Sequence, residues 1–435
     1  MSKVNSIAIG AALVVFASVA TELRFGSMPI GIGEVMVMLL FLWALRYRQA
    51  IRYLKHPVML FWMGFIAIAA VAMLLGTVKG ASSMHTAAAY LYSGCFSLMA
   101  IACLEQASKQ QFEHFIKALV LVPGLMLLIP FLCFATDATE LAGLLGINTD
   151  FPSRLSAWST NPNQLGLLLL PIPFWLLAVY RDTKWQGKRW LRNFGLIWAF
   201  FVLGICVRSD ALLLAWFIGL PLLTGVALVW AKPFNWRLFG TTLAAFVLAF
   251  ASFKVMVDGP GREQLVKAET AVSGAVASIF GTAPAKGSSP AFAPGKSDSL
   301  IGVGFDQNKS GVRKTLWIHA YEAWLQAPFI GHGPGAFSYL EDPAKKEEAH
   351  NLGFDMLTQV GIIGVLLFAA LYLWLLVKAC QARDSYSLAV LVVLMIFSGA
   401  HFMLRQPVFS LYMIICALAV KHGIFTALRE KPQPN

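Results

Sequence analysis

One histidine stands at the junction between a long polar stretch and a hydrophobic one. His350-Asn351 follows the polar stretch 257–349 and precedes, by nine residues, Gly361-Ile362-Ile363-Gly364. An imidazole is the side chain whose pKa suits proton transfer near neutral pH, although a single loop histidine is more often an ordinary surface residue. Gly361 and Gly364 would let another helix approach closely, or they serve ordinary membrane packing. The pattern alone leaves these alternatives open.

Arginines offer the complementary chemistry, because a guanidinium presents a planar set of donors suited to phosphate. Arg154 precedes Asn161-Pro162-Asn163, and Arg208 opens Arg208-Ser209-Asp210 between two apolar runs. Arg405 lies in the tight link 404–406. The alternative for each arginine is that it anchors a helix end at the membrane interface.

Several common catalytic motifs do not occur in the sequence. It has no Asp-x-Asp, no P-loop, no His-Glu-x-x-His and no Gly-x-Ser-x-Gly. The six cysteines all lie in or at the end of apolar runs, so we expect neither a disulfide framework nor a zinc site. The sequence therefore predicts no metal and no cofactor.

The composition is typical of a membrane protein with many spans. Hydrophobic residues make up 58% of the 435 residues and charged residues only 13%. The formal net charge of +12 falls mostly in short gaps between apolar runs, where it meets anionic lipid headgroups and sets orientation. Nucleic-acid binding is not expected, because no soluble domain with a basic face is available to carry it.

These residues must be positioned by membrane helices, each of about 20 mostly apolar residues. The sequence predicts an all-α, polytopic integral membrane protein with about 12 transmembrane helices and one large, mostly helical periplasmic loop before helix 10. The predicted spans are 7–22, 30–46, 57–76, 86–104, 113–135, 163–180, 194–208, 210–230, 238–256, 351–378, 385–403 and 406–426. The run 194–230 has the alternative of forming one broken helix.

Lysine and arginine in the short loops set the orientation. One side carries most of these cations, whereas the short loops of the other side hold only Arg24, Lys79, Arg154, Arg208 and Arg405. The predicted organisation is therefore helices 1–9 in 1–256, a periplasmic loop domain in 257–350, and helices 10–12 with the C-terminus in 351–435. Both termini are expected in the cytoplasm.

The predicted outer segment 257–350 has five recognisable parts. Arg262–Phe280 has helical spacing, and Gly281–Ser299 has the composition of a flexible connector. Arg313–Ala327 reads as an amphipathic helix with one apolar stripe, followed by the turn-rich Gly331–Gly335 and a charged stretch, Glu341–Glu348. The stripe comprises Leu316, Trp317, Ala320, Tyr321 and Trp324. Its aromatic rings would rest on the membrane surface or stack on sugars.

Taken together, these motifs resemble those of the bacterial O-antigen ligases, within the superfamily of O-antigen ligases, O-antigen polymerases and protein O-oligosaccharyltransferases. The resemblance rests on Arg154 with Asn161-Pro162-Asn163, on Arg208-Ser209-Asp210, on Arg313 and Trp317 through Gly335, and on His350-Asn351 with Gly361 and Gly364. It runs from about 150 to 365. Asp210 departs from the small residue that many relatives have at this place, which affects the expected geometry around Arg208.

The resemblance implies glycosyl transfer at the periplasmic face of the bacterial inner membrane, without nucleotide sugar or required metal. The donor would be O-antigen polysaccharide on undecaprenyl pyrophosphate, and the acceptor a sugar hydroxyl of lipid A–core oligosaccharide. Membrane lipids are the other expected partners.

In that reaction we expect His350 to act as the general base of an inverting displacement, or alternatively to bind pyrophosphate as an imidazolium. Arg154 and Arg208, with Arg313 third, would hold the pyrophosphate. Supporting roles fall to Asn351, Asn161, Asn163, Trp317, Gly361 and Gly364. An O-antigen polymerase and a protein O-oligosaccharyltransferase are the nearest alternatives, and a twelve-span transporter is a more distant one.

Overall fold

The computed structural model describes residues 3–21, 31–45, 48–75, 81–151, 153–180, 187–230, 236–258, 307–336 and 348–423. Within these residues the chain is all helical. The helices are α1 (Lys3–Val19), α2 (Ile32–Leu45), α3 (Pro57–Leu75), α4 (Ala81–Leu104), α5 (Lys109–Met126), α6 (Leu128–Thr136), α7 (Thr139–Leu144), α8 (Pro162–Leu169), α9 (Ile172–Tyr180), α10 (Gly187–Val207), α11 (Asp210–Trp230), α12 (Trp236–Asp258), α13 (Gln307–Gln326), α14 (Leu352–Gln381), α15 (Ser385–Ser398) and α16 (Pro407–His422). A 3₁₀ helix covers Arg48–Lys55.

Seven helical segments among the described residues are long and apolar enough to cross a membrane. They are Pro57–Leu75, Ser83–Leu104, Lys109–Thr136, Pro162–Tyr180, Trp190–Val207, Asp210–Trp230 and Leu352–Gln381, and each coincides with a predicted span. Shorter apolar helices occupy four further predicted spans, and α2 occupies the predicted span 30–46. The polytopic helical class is therefore confirmed, and the count of about twelve spans stays a prediction.

Prolines explain why two predicted spans are each built from two helices. A proline ring clashes with the carbonyl four residues earlier and has no N–H to donate. Pro130 acts in this way on Met126, the last residue of α5. Pro173 acts on Leu169, the last residue of α8. The predicted run 194–230 also consists of two helices, because Arg208 adopts φ 49° between α10 and α11.

The chain groups by its internal contacts into two compact units. Unit 1 comprises 1–33, 115–213 and 235–304, and unit 2 comprises 34–114, 214–234 and 305–435. In unit 1, α10 packs on α12 and α8, and α1 packs on α8. In unit 2, α14 packs on α3, α13, α15 and α16, and α16 also packs on α4. This grouping does not test the predicted division at 256 and 350.

The predicted amphipathic helix is present as α13, but its buried stripe is narrower than expected. Leu316, Ala320 and Ala323 are buried, whereas Trp317 and Tyr321 remain 37% and 48% exposed. Two alanines on this stripe let α13 lie close to α14, so the bulky rings stand at the edges of the contact. The predictions for Arg262–Phe280 and Gly281–Ser299, and for most of Glu341–Glu348, lie outside the described residues.

Candidate functional site

His350 lies in a short loop that leads into α14, and it is exposed to solvent. Its backbone is in the left-handed region, with φ 51°. Histidine is one of the few residue types enriched there among those with a side chain. The conformation turns the chain sharply between Ala349 and Asn351, just before the first turn of the helix.

Asn351 connects this loop to α14 as the N-cap residue. Its Oδ1 accepts hydrogen bonds from the backbone N–H groups of Gly353 at 2.9 Å and Phe354 at 3.2 Å, as expected for an asparagine at this position. Its Nδ2 donates to the carbonyl oxygen of Gly399 at 3.0 Å. The asparagine predicted to support His350 therefore starts the helix and joins the loop to the end of α15.

Asp355 also holds the His350 loop, and it is not among the site residues predicted from the sequence. The N–H of Ala349 donates to its Oδ1 at 2.9 Å, and the N–H of Asn351 donates to its Oδ2 at 3.2 Å. The side chain is buried, with only 1% exposed. The available signal was a carboxylate one turn into an apolar segment, because a charge there is costly unless it is compensated.

Trp317 fixes the third side of the loop. Its Nε1 donates to the carbonyl oxygen of Ala349 at 3.0 Å. Its ring stacks on Phe354, with ring centroids 5.8 Å apart and planes 24° apart. From the sequence, we expected this ring to rest on the membrane surface or to stack on a sugar. In the structure, the Trp317 side chain holds α13 against the His350 loop.

An ion pair lies beside the same loop. Arg405 donates through Nη2 to Oε1 of Glu348, two residues before His350, and its guanidinium also stands over the Phe402 ring at 5.8 Å. The carbonyl oxygen of Arg405 accepts a hydrogen bond from Ser93. Because α15 ends at Ser398, the predicted span 385–403 is too long at its C-terminal end.

Gly361 breaks α14, and the loop that follows α13 packs against it. The sequence suggested a neighbouring helix at this place. The Gly361 φ of 62° and ψ of −168° are essentially restricted to glycine. A Cβ there would lie 2.3 Å from the backbone carbonyl of Phe329. The freed N–H groups of Ile362 and Ile363 donate to the carbonyl oxygens of Pro328 and Phe329. The break is thus filled by the turn that follows α13.

The predicted turn Gly331–Gly335 completes this contact. The N–H groups of His332 and Gly333 donate to the carbonyl oxygens of Thr358 and Gln359, at the end of the first half of α14. Gly331 has φ 70°, and a Cβ there would lie 2.5 Å from the Gln359 backbone. At Gly364 the near neighbour of a Cβ would be the Val360 side chain of the same helix, at 2.3 Å. Gly361 therefore makes the break in α14, and Gly364 leaves room for the Val360 side chain just before it.

In unit 1, Arg154 is fixed by two acceptors. Its Nε donates to the carbonyl oxygen of Val207 at 3.0 Å, and its Nη2 donates to Oδ1 of Asn163 at 2.9 Å. Asn161 caps α8, and its Oδ1 accepts from the N–H of Asn163 at 2.8 Å. The Asn161-Pro162-Asn163 motif therefore starts a helix and aims the second asparagine at the guanidinium.

Arg208 and Asp210 act on the same guanidinium electrostatically. Burial lowers the pKa of Arg154 from its usual value, the Asp210 carboxylate raises it, and the positive charge of Arg208 lowers it. The Arg208 guanidinium itself stands over the Phe253 ring at 5.4 Å. Two arginines and one carboxylate thus form a cationic group where α10 ends and α11 begins.

A small cleft opens beside Arg154. Its wall combines aromatic and polar side chains, among them Phe134, Phe151, Asp137 and Asn148. Like the arginine group, it lies within unit 1.

The structure groups the predicted site residues within each unit. In unit 2, His350, Asn351 and Trp317 meet at one loop, and Arg313 lies one turn before Trp317 on α13. Gly361 lies further along α14, at its break. In unit 1, Arg154, Asn161, Asn163 and Arg208 form the second cluster. That both clusters serve one reaction stays a prediction.

Residues 194–369 match a family model described as O-antigen ligase. The matched segment contains Arg208, Arg313 and Trp317 and runs through His350 and Gly364. A search of curated proteins finds no match. The match confirms the resemblance for the motifs from Arg208 to Gly364, whereas Arg154 and Asn161-Pro162-Asn163 precede the matched segment.

Proposed function

We propose that this chain, in which residues 194–369 match a family model described as O-antigen ligase, is an O-antigen ligase. It transfers polysaccharide from undecaprenyl pyrophosphate to a sugar hydroxyl of lipid A–core oligosaccharide. The observation that carries the proposal is an exposed imidazole on a firmly held loop, within the segment that matches the family. A base presented to solvent at the start of a membrane helix can reach two lipid-anchored substrates.

We place the reaction at the periplasmic face of the bacterial inner membrane, with both termini in the cytoplasm. The support is the uneven distribution of lysine and arginine between the two sets of short loops. The His350 loop and the Arg154 and Arg208 positions fall on the cation-poor side in this arrangement.

The chemical step is a single in-line displacement at the anomeric carbon of the donor. The acceptor oxygen forms the new glycosidic bond, the bond from that carbon to the phosphate oxygen breaks, and His350 takes the proton of the acceptor hydroxyl. One displacement inverts the anomeric configuration, and none of the site residues predicted from the sequence is a carboxylate that could form a glycosyl intermediate. A positioned general base contributes about 10²–10⁴-fold in rate.

The leaving group is a lipid pyrophosphate whose negative charge grows during this step. Fixed cations aimed at that charge stabilise the transition state without having to reorganise. Arg154 suits this role because Val207 and Asn163 hold its guanidinium in place. Arg208 adds a second positive charge, and Arg313 supplies a third on α13. The sequence has no Asp-x-Asp pair for a metal-bound nucleotide sugar, which supports a metal-independent reaction.

The nearest rival function is O-antigen polymerisation, which shares the chemistry and differs in the acceptor. Deleting the gene in its source bacterium and analysing the lipopolysaccharide separates the two. A ligase predicts the loss of all polymer-capped molecules, together with accumulation of lipid-linked polymer. A ladder collapsed to a single repeat would instead identify a polymerase, and an unchanged ladder would contradict both.

A further inference from the structure

The backbone around His350 is held by a carboxylate in a specific way. Two N–H groups, one on each side of the histidine, donate to the two oxygens of Asp355. A carboxylate has two acceptor oxygens and no donor. An asparagine in its place would direct an NH₂ group at one of the two N–H groups.

Burying the Asp355 carboxylate costs desolvation free energy, which its contacts must offset. Charged groups are rarely buried without strong compensation, and here only 1% of the residue is exposed. The compensation comes from the two N–H donors and from the first turn of α14, where the helix dipole favours negative charge. Asn351 already caps this helix, so the carboxylate is not required for the N-cap bonds to Gly353 and Phe354.

The left-handed backbone of His350 depends on the hydrogen bonds to Asp355. A left-handed backbone at a residue with a side chain persists only where the surroundings enforce it. Asp355 binds the N–H of the residue before and the N–H of the residue after, so it fixes the turn at its two ends. The exposed His350 is therefore carried by a backbone that is fixed on both sides.

We propose that Asp355 is a positioning residue that sets the direction of the His350 imidazole for proton transfer. The inference rests on the proposed function, because it assigns a role to the residue that orients the base. A catalytic group displaced by about 1 Å can lose about 100-fold in rate. We therefore expect Asp355→Asn to lower kcat by about 10–100-fold and to leave the KM for the donor within about twofold.

A double-mutant cycle on the purified full-length protein tests this. If Asp355 acts through His350, Asp355→Asn lowers kcat in the wild type and changes it by less than about twofold in the His350→Gln variant. Equal losses in both backgrounds, or no loss in the wild type, would overturn the inference. The matched control is Asp384→Asn, since Asp384 is another buried carboxylate that accepts a backbone N–H, at the start of α15. Its effect on kcat should be the same in both backgrounds.

Two further measurements keep the test decisive. Asp355→Glu retains the charge and both oxygens on a longer side chain, and it should give a smaller loss with the same dependence on His350. Hydrogen–deuterium exchange of the wild type should show the Ala349 and Asn351 N–H groups protected as well as helical ones, and rapid exchange would overturn the inference. If His350→Gln itself retained full turnover, the base assignment would fail. Additive losses, with the turnover of His350→Gln strongly reduced but still measurable, would reject only the role of Asp355.

Discussion

At the level of single residues, neighbouring groups hold the proposed site side chains in place. Asn163 and the Val207 carbonyl fix the Arg154 guanidinium, and Trp317 fixes the carbonyl oxygen of Ala349 beside His350. Side chains that are already fixed lose less conformational entropy when a substrate binds or reacts. Asp210 opposes this in one respect, because its negative charge lies near the arginines that are proposed to bind an anion.

Arg208→Ala should weaken binding of a labelled undecaprenyl pyrophosphate donor by about 10–100-fold, the effect of losing a hydrogen bond to a charged group. The measurement is equilibrium binding to the purified protein in detergent or nanodiscs. Arg237→Ala is the matched control, since Arg237 is an exposed arginine of unit 1 on the predicted cytoplasmic side. Unchanged donor affinity in Arg208→Ala would remove this residue from the pyrophosphate site.

Asp210→Asn should have the opposite effect on the same donor. Removing the carboxylate takes away a negative charge that interacts with Arg154, so we expect donor affinity to rise by a factor of about two to five, the size of a partly exposed charge interaction. The gain should shrink at high salt, because exposed charges are screened. A loss of affinity would show that Asp210 instead orients the arginines.

At the scale of the element, the break in α14 is the feature that shapes the site. Gly361 interrupts the helix, and the turn after α13 supplies the missing backbone partners. In a membrane, backbone groups freed by such a break must be satisfied within the protein. The break therefore ties α13, and with it Trp317, to the helix that begins at the His350 loop.

Gly361→Ala should prevent correct folding, because the added Cβ would meet the Phe329 backbone at 2.3 Å. The backbone conformation alone costs about 1–3 kcal/mol for a residue with a side chain. The readout is the fraction of protein that is monodisperse in mild detergent, with its thermal unfolding midpoint. Gly225→Ala on α11 is the control, since no neighbouring atom lies within 4 Å of a Cβ there. Equal stability of the two variants would contradict the role of the break.

The sequence predicted the elements better than the contacts between them. Hydropathy located the spans, and the turn residues after Ala327 marked where α13 ends, because these signals are local. The clamp at Asp355 depends on a left-handed backbone at His350, which no local pattern specifies. The role of Gly361 depends on a turn about thirty residues earlier in the chain. Gly361-Ile362-Ile363-Gly364 therefore suggested helix packing, whereas its partner is a loop.

At the scale of the whole molecule, the surface is that of a protein surrounded by lipid. Leu74, Phe217, Val229 and Leu366 leave 60–75% of their surface uncovered. In water such a set of large apolar side chains would promote aggregation, whereas in a bilayer they contact acyl chains. The apolar helices and the cationic loops together support the proposed position in the inner membrane.

Single-cysteine labelling tests the proposed orientation in a variant whose six native cysteines are replaced. A membrane-impermeant maleimide applied to spheroplasts should label Lys314→Cys on α13, because this side is expected to face the periplasm. Gln381→Cys, at the far end of α14, should react only after permeabilisation. Both positions are exposed, so their accessibility to reagent is comparable. The reverse pattern would invert the topology.

In the proposed reaction, His350 removes the proton of the acceptor hydroxyl during transfer from a lipid pyrophosphate. The direct measurement is the turnover of purified His350→Gln with lipid-linked polysaccharide and lipid A–core oligosaccharide, over a range of pH and beside Arg154→Lys. A base predicts that kcat falls by about 10²–10⁴-fold with donor binding intact, and that the variant loses the titration on the acidic side that Arg154→Lys keeps. Near wild-type turnover in His350→Gln would contradict the account.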